Sequence, residues 1–379
     1  MAGLLRVVIA GGGTGGHAFP ALALAQALTA GGGAEVRLVG TTVGPEAAAA
    51  AEAGIPFEAL PVSGFRRSLA PAALAHNAAA AGEAAGAALK ARAILRRARA
   101  QVAVGTGGYA SIPIALAAAA ARIPLVVQEQ NAVPGRANRL ARRWAAAAAL
   151  SFPGSERFFA SVPIVRLTGN PVRPELAHLD RDTLRPQARE HFGLEEDRQT
   201  LLVFGGSQGA RRINEAAFGS YGAWRGEPGL QVLHLVGRSQ LVAAEQRLAA
   251  LRREGDQLLW RPVGFTDRMD LAYAIADLAV SRAGASALFE LAAAALPAIV
   301  VPYPHAGDHQ RYNTEALLEL EAIVLLYDHE CTAETFQPAV RRLLDDPARR
   351  SAMSRALAGF ARPDAAQAMA ELVREVAAR

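Results

Sequence analysis

A chain of 379 residues is long enough for two domains of ordinary size, each burying its own core. Its 51% hydrophobic content overstates how apolar that interior is, because alanine supplies much of the total. The net charge of +5 calls for an anionic partner, and the single cysteine, Cys331, excludes an intramolecular disulfide or a cysteine-built metal site.

Met1–Ala10 carries one Arg and runs directly into a strand and a glycine loop, leaving no room for a signal peptide, so the chain is expected on the cytoplasmic side. Strand Arg6–Ala10 ends in Gly11-Gly12-Gly13-Thr14-Gly15-Gly16-His17, and a helix is predicted from about Phe19 to Ala30. Strands at Glu35–Val39, Phe57–Leu60, Val102–Val104, Leu125–Gln128 and Ala146–Ser151 alternate with helices at Pro45–Ala53 and in the alanine-rich stretch Pro71–Ala100. Such alternation predicts a parallel, doubly wound sheet. Thr168-Gly169-Asn170-Pro171-Val172-Arg173-Pro174 can continue neither a helix nor a central strand, and reads as an interdomain linker. The Asp180-Arg181-Asp182 triplet beyond it has a spacing used for divalent metals, but its polar, Arg-rich setting reads as a solvated loop.

A second alternating set follows, with strands at Leu201–Phe204, Val232–Leu235, Leu258–Arg261, Leu278–Ser281, Ala298–Val301 and Ile323–Leu326. The most apolar window, Ala283–Pro302, is broken by Glu290 and Pro297 and reads as a buried helix and strand rather than a membrane span. The tail from Asp345 to Arg379 is helical by composition, with a break at Arg362-Pro363.

The first strand of each half ends in a glycine-rich turn, Gly11–His17 and Gly205-Gly206-Ser207-Gln208-Gly209. Each turn can aim backbone N–H groups at an anion near a helix N-terminus, so a pair of them facing one cleft suits a diphosphate. The same sequence also satisfies tight strand-to-helix geometry alone. Gly11-x-Gly13-x-x-Gly16 formally fits a dinucleotide fingerprint, but the second strand ends Val39-Gly40-Thr41-Thr42 with no acid to hold a ribose.

His17 stands beside the first turn, placed to meet an incoming hydroxyl or phosphate. Gly107-Gly108-Tyr109 and Gln128-Glu129-Gln130-Asn131 bring further groups to strand carboxyl ends, where open α/β sheets bind ligands, although the latter run could equally cap the next helix. In the second half, Ser207 could bind phosphate and Arg282 could supply positive charge. Glu290 sits in an otherwise apolar helix and needs a partner, either ribose hydroxyls or an interdomain or helix-end ion pair. Asp308-His309-Gln310 follows a strand, but no second cluster at ligand spacing supports a metal.

Taken in order, Gly12-Gly13-Thr14-Gly15-Gly16-His17, Gly107-Gly108-Tyr109, Glu129-Gln130-Asn131, Gly169-Asn170-Pro171-Val172-Arg173, Gly205–Ala210 and the Arg282–Glu290 helix resemble the MurG family across nearly the whole chain. The resemblance implies an α/β GT-B fold of two Rossmann-like, doubly wound parallel-sheet domains facing a central cleft. Residues 1–168 would bind the acceptor and dock on the membrane, residues 169–355 would bind UDP-GlcNAc, and the helix in 356–379 would pack back on the first domain.

The implied activity is inverting transfer of N-acetylglucosamine from UDP-GlcNAc to the C4 hydroxyl of lipid I, giving lipid II for peptidoglycan, with no cofactor or metal and no nucleic-acid partner. Thr14, Gly15, Gly16, Asn131, Arg173, Ser207, Thr266, Ala285, Ser286, Ala287, Leu288, Phe289, Glu290 and Gln310 would contact the donor, and His17 would lie near the reaction centre. Tyr109 and Arg282 are added as substrate-binding candidates from their places at strand ends.

Much of the basic charge clusters at Lys90, Arg92, Arg96, Arg97, Arg99 and at Arg136, Arg139, Arg142, Arg143. Leu69, Leu74 and the neighbouring basic residues are the candidate surface for docking on an anionic membrane from its cytoplasmic side, with an ordinary solvated helix as the alternative. Many members of the family carry His before Glu-Gln-Asn, where this chain has Gln128, and Ala283 replaces a more usual Ser. A GT-B transferase with a soluble acceptor would share the donor motifs, and a non-catalytic nucleotide-sugar-binding protein would bind without turnover.

Overall fold

The computed structural model describes residues 4–42, 46–62, 83, 86–206, 209–304 and 309–379. The chain divides into two compact units, one formed by Met1–Arg173 with Arg362–Arg379 and the other by Pro174–Ala361.

Among the described residues the first unit carries seven strands, β1 (Leu5–Ala10), β2 (Ala34–Thr41), β3 (Phe57–Leu60), β4 (Val102–Gly105), β5 (Leu125–Glu129), β6 (Ala145–Leu150) and β7 (Ile164–Leu167). They lie in the order β3-β2-β1-β4-β5-β6-β7 and every pairing is parallel. The connecting helices are α1 (Gly15–Thr29), α2 (Glu46–Glu52), α3 over residues 86–97, α4 (Ser111–Ala121) and α5 (Arg136–Ala141).

A sheet covered on both faces needs strands that are apolar at every position. In β1, Val7 and Ile9 join one buried cluster while Val8 and Ala10 join the cluster on the opposite face. β7 escaped the sequence reading because it is a four-residue edge strand, half-buried at best and immediately after Pro163. Residues 63–82, which hold most of the alanine-rich stretch together with Leu69 and Leu74, lie outside the described residues.

The second unit repeats the plan with β8 (Gln199–Phe204), β9 (Leu230–Leu235), β10 (Leu259–Val263), β11 (Leu278–Ser281), β12 (Ala298–Val300) and β13 (Ile323–Leu325), ordered β10-β9-β8-β11-β12-β13 and parallel throughout. Its helices are α6 (Pro174–Ala177), α7 (Arg181–Phe192), α8 (Arg211–Gly219), α9 (Tyr221–Trp224), α10 (Leu241–Leu251), α11 (Met269–Ile275), α12 (Ala285–Ala293), α13 (His309–Glu319), α14 (Ala333–Leu344) and α15 (Pro347–Phe360).

The stretch read as a solvated loop around Asp180 is instead the start of α7. The Asp180 carboxylate accepts the Thr183 N–H at 3.2 Å as the N-cap, a bond that stabilises a helix by about 1 kcal/mol. Trp260 stacks on Phe218 at 5.5 Å within a core that also takes in Trp224 and Phe336. After Ala361 the chain rejoins the first unit, where α16 (Ala365–Ala377) places Met369, Leu372, Val373 and Val376 against Leu24 and Leu28 of α1. Arg166 of β7 pairs with Glu375 at 2.7 Å.

Both sheets read third, second, first, fourth, fifth, sixth strand. The strand order therefore changes direction at the first strand, a switch point between the first and fourth strands whose carboxyl end is where open sheets bind ligands. The glycine-rich turns sit at those two reversal points.

Candidate functional site

In the first unit the turns after β1 and β4 meet backbone to backbone. A Cβ on Gly108 would lie 2.3 Å from the Gly12 carbonyl oxygen, and one on Gly107 would lie 2.8 Å from the His17 ring. Gly107 and Gly108 also have φ of 92° and 78°, the left-handed region, so both positions need glycine twice over.

His17 belongs to the first turn of α1, which begins at Gly15 rather than near Phe19; the glycines and Pro20 disguised the start. Its Nδ1 lies 2.9 Å from the Thr106 carbonyl oxygen, while the Thr106 hydroxyl donates to the His17 carbonyl at 3.0 Å. A carbonyl can only accept, so Nδ1 carries a proton, and in the neutral ring the lone pair lies on Nε2. That is the tautomer of a general base.

The support behind Thr106 is a buried amide chain. Gln130 donates to the Thr106 carbonyl and to Gln128, and Gln128 donates to Asn170 Oδ1 at 3.2 Å. Gln128 is fully buried, and its side chain supplies a hydrogen bond to the scaffold. Glu129 ties down the following loop: one oxygen accepts the Asn131 N–H at 2.9 Å and Nδ2 at 3.1 Å, the other the Gly135 N–H and Asn138 Nδ2. Gly135 is the N-cap of α5, so for Glu129 the helix-capping alternative describes what its carboxylate does. Tyr109 is half exposed, and the Arg173 guanidinium lies over the Phe19 ring at 5.4 Å.

Glu46 is the residue that the sequence reading missed. It enters from α2, is buried, and its Oε1 accepts the Gly13 N–H at 3.1 Å and both the N–H and hydroxyl of Thr41 at 2.7 Å. An acid does reach the end of β2, but protein donors consume the bonded oxygen. One N–H of the first glycine turn is thereby spent. The amides of Gly15 and Gly16 and the Thr14 hydroxyl have no partner among the described residues. The signal for Glu46 was its place seven residues beyond the apolar end of β2, at the head of an alanine helix.

In the second unit Gly205 and Gly209 are squeezed by Ala210 and by the Val236 carbonyl, whereas a Cβ on Gly206, φ 89°, would meet nothing within 4 Å. Ser207, Gln208 and Asp308 lie outside the described residues. Asn214 Nδ2 braces the turn from α8 through the Val236 carbonyl at 2.9 Å and Gln240 at 3.0 Å, and its Oδ1 meets His234 Nε2 at 3.0 Å. Complete burial drives the His234 pKa down to about 3, so it is a neutral brace.

The fourth strand of this sheet, β11, leads through Gly284 into α12. The amides of Ala285, Ser286 and Ala287 open that helix, and none has a hydrogen-bond partner among the described residues. Leu288 and Phe289 are different: both side chains are buried, the Leu288 N–H bonds to Gly284, and Phe289 packs on Phe360 at 5.2 Å. Neither can present a side chain to a ligand. Glu290 accepts a hydrogen bond at 2.8 Å from the buried Tyr273 hydroxyl, a neutral partner rather than the ion pair expected as the alternative to a ribose. Arg282 pairs with Asp328 and donates to the Val301 carbonyl, so its charge is already shared inside the unit. Thr266 accepts the Arg268 N–H at 3.0 Å next to Phe265, on which Arg238 stacks at 4.0 Å. Gln310 opens α13 and holds the Tyr303 N–H at 2.9 Å.

No group of three or more His, Cys, Asp or Glu suited to a metal occurs among the described residues, and no described helix is long and apolar enough to cross a membrane. Residues 7–150 match the glycosyltransferase family 28 N-terminal domain and residues 200–369 its C-terminal domain. A UDP-N-acetylglucosamine--N-acetylmuramyl-(pentapeptide) pyrophosphoryl-undecaprenol N-acetylglucosamine transferase of Desulforudis audaxviator is 38% identical over 99% of both chains. A Nocardioides protein of the same name is 40% identical over 98% of both. Among solved structures, Acinetobacter baumannii MurG superposes with a TM-score of 0.74 at 27% identity, covering 98% of this chain and all of that one. An S. aureus MnaA–UDP structure shares the fold at TM-score 0.70 and 12% identity, over 96% of this chain and 95% of that one. Similarity that runs end to end through both halves, in order, means that the chain belongs to the MurG family within glycosyltransferase family 28.

Proposed function

We propose that this chain transfers N-acetylglucosamine from UDP-GlcNAc to the C4 hydroxyl of the N-acetylmuramoyl group of lipid I, with His17 as the general base. Nε2 takes the proton from the C4 hydroxyl, the oxygen attacks the anomeric carbon, and UDP departs with the electron pair of the broken C1–O bond, inverting the centre. The observation that carries this reading is the Nδ1 bond to Thr106, which leaves Nε2 as an acceptor beside the meeting glycine turns.

The donor is assigned to the second unit. Open amides at the head of α12 and the turn containing Ser207 would meet the diphosphate, Glu290 the ribose, and the backbone at Phe265-Thr266 the uracil. Fixed N–H dipoles of this kind stabilise a departing diphosphate without reorganising. The reaction is proposed to need no metal or other cofactor. Exposed Arg92, Arg96 and Arg97 on α3, with Arg139 and Arg143 at α5, would attract an anionic membrane face from the cytoplasmic side.

The test is transfer of labelled sugar to a lipid I analogue and to soluble acceptors, with and without chelator. His17→Ala is expected to lower kcat about 10²–10⁴-fold with little change in UDP-GlcNAc affinity. Full turnover by that variant would remove His17 from the chemistry, preference for soluble acceptors would replace the acceptor, and loss of turnover with chelator would restore a metal.

A further inference from the structure

At the amino ends of β11 and β12, the edge of the second sheet opposite its glycine turn, an open depression of about 380 Å³ is lined by Arg181, Arg185, Arg350, Arg355, Asp277 and Ser351, among others. Four guanidinium groups face one carboxylate there. That carboxylate is fully used, Asp277 Oδ1 by Arg185 at 2.7 Å and Oδ2 by the Thr200 N–H at 2.7 Å.

Two of the arginines are fixed by carbonyl groups, which orient them without neutralising them. Arg181 donates to Tyr273 and Ala276 at the end of α11, and Arg350 to Leu343 and Leu344 at the end of α14. Arg355 and Ser351 have no partner among the described residues. Burial first, and then the neighbouring Arg185, pull the Arg181 guanidinium below its ordinary range, as expected where like charges gather. The uncommitted valences are therefore almost all N–H or O–H donors around a net positive hollow. A ligand rich in acceptor oxygens and negative charge complements them.

We propose that this depression is a second anion site, specific for a phosphate-bearing molecule and separate from the donor site at the carboxyl edge of the same sheet.

The test is isothermal titration of the full chain with inorganic pyrophosphate while UDP is saturating, repeated on Arg355→Glu. Arg355 is exposed and makes no internal bond, so the variant is expected to fold, and an unchanged melting temperature and UDP affinity would show it. The expected result is pyrophosphate binding that survives saturation with UDP and weakens tenfold or more in the variant. Flotation with phosphatidylglycerol or phosphatidylcholine vesicles identifies the source. A parallel loss of phosphatidylglycerol association points to a lipid headgroup, and unchanged association points to a free phosphate compound. Pyrophosphate binding that is absent or abolished by UDP, or that Arg355→Glu changes less than twofold, overturns the proposal. The readout is direct binding away from the donor site, so it stands or fails independently of sugar transfer.

Discussion

Gly11–His17 and Gly205–Ala210 end equivalent strands of equivalently ordered sheets, yet they are braced by opposite chemistry. In the first unit a buried carboxylate, Glu46, takes the Gly13 N–H and both donors of Thr41. In the second unit neutral groups, Asn214, Gln240 and uncharged His234, brace the neighbouring Val236 segment. A carboxylate placed inside a turn repels a second anion, whereas a neutral frame leaves the field of the helix N-terminus available. The difference teaches that a glycine-rich turn after a strand specifies a backbone path, and that its surroundings set the field an anion would meet there. It also agrees with assigning the diphosphate to the second unit and the base to the first.

The strongest way to break the first turn is Gly108→Ala. The new Cβ would overlap the Gly12 carbonyl in a left-handed residue, and the expected cost is about 4 kcal/mol. Chemical denaturation checks the cost, and a transfer assay on the folded fraction should show turnover lost along with the His17 setting. Glu46→Ala should cost about 3 kcal/mol, because three buried donors lose a charged acceptor. If the two turns differ as described, Glu46→Ala lowers kcat for the acceptor reaction and leaves UDP affinity within twofold. A fall in UDP affinity instead would place the diphosphate on the first turn.

These contrasts also mark what the sequence could and could not convey. Apolar runs such as Leu201–Phe204 identify central strands because both faces are covered, and Gly107-Gly108 announces a turn that only glycine can make. The helix that opens at Gly15 was obscured because glycine and Pro20 weaken every local helical signal, while tertiary packing of Leu24 and Leu28 supplies the stability. Partners distant along the chain left no local trace at all. Nothing near Arg282 predicts Asp328, and nothing near Glu290 predicts the Tyr273 hydroxyl. Leu288 and Phe289 belong to a motif by position, but helical periodicity turns their side chains into the core.

Acid should act on the neutral brace. His234 has a native pKa of about 3 against the model-peptide value of about 6.5, so below that upper value the unfolded chain binds a proton that the native state refuses. Its contribution to stability is complete above pH 6.5 and falls as pH drops toward 3, by up to about 1.4 kcal/mol per unit. Urea melts at several pH values on wild type and His234→Gln check this, and the variant should lose that part of the slope. An unchanged slope would mean that another group dominates acid sensitivity.

Gly206→Ala is the mildest and most discriminating comparison with Gly108→Ala. Both positions have positive φ, but at Gly206 the added Cβ meets nothing within 4 Å, so only the conformational term remains, about 1 kcal/mol. Stability should fall slightly and overall folding should be intact. A methyl group projecting into open space beside the second turn should still be felt by a diphosphate seated there, raising KM for UDP-GlcNAc severalfold with acceptor KM unchanged. Equal donor KM in wild type and Gly206→Ala would mean that the diphosphate keeps its distance from this turn, shifting its binding onto the open amides at the head of α12.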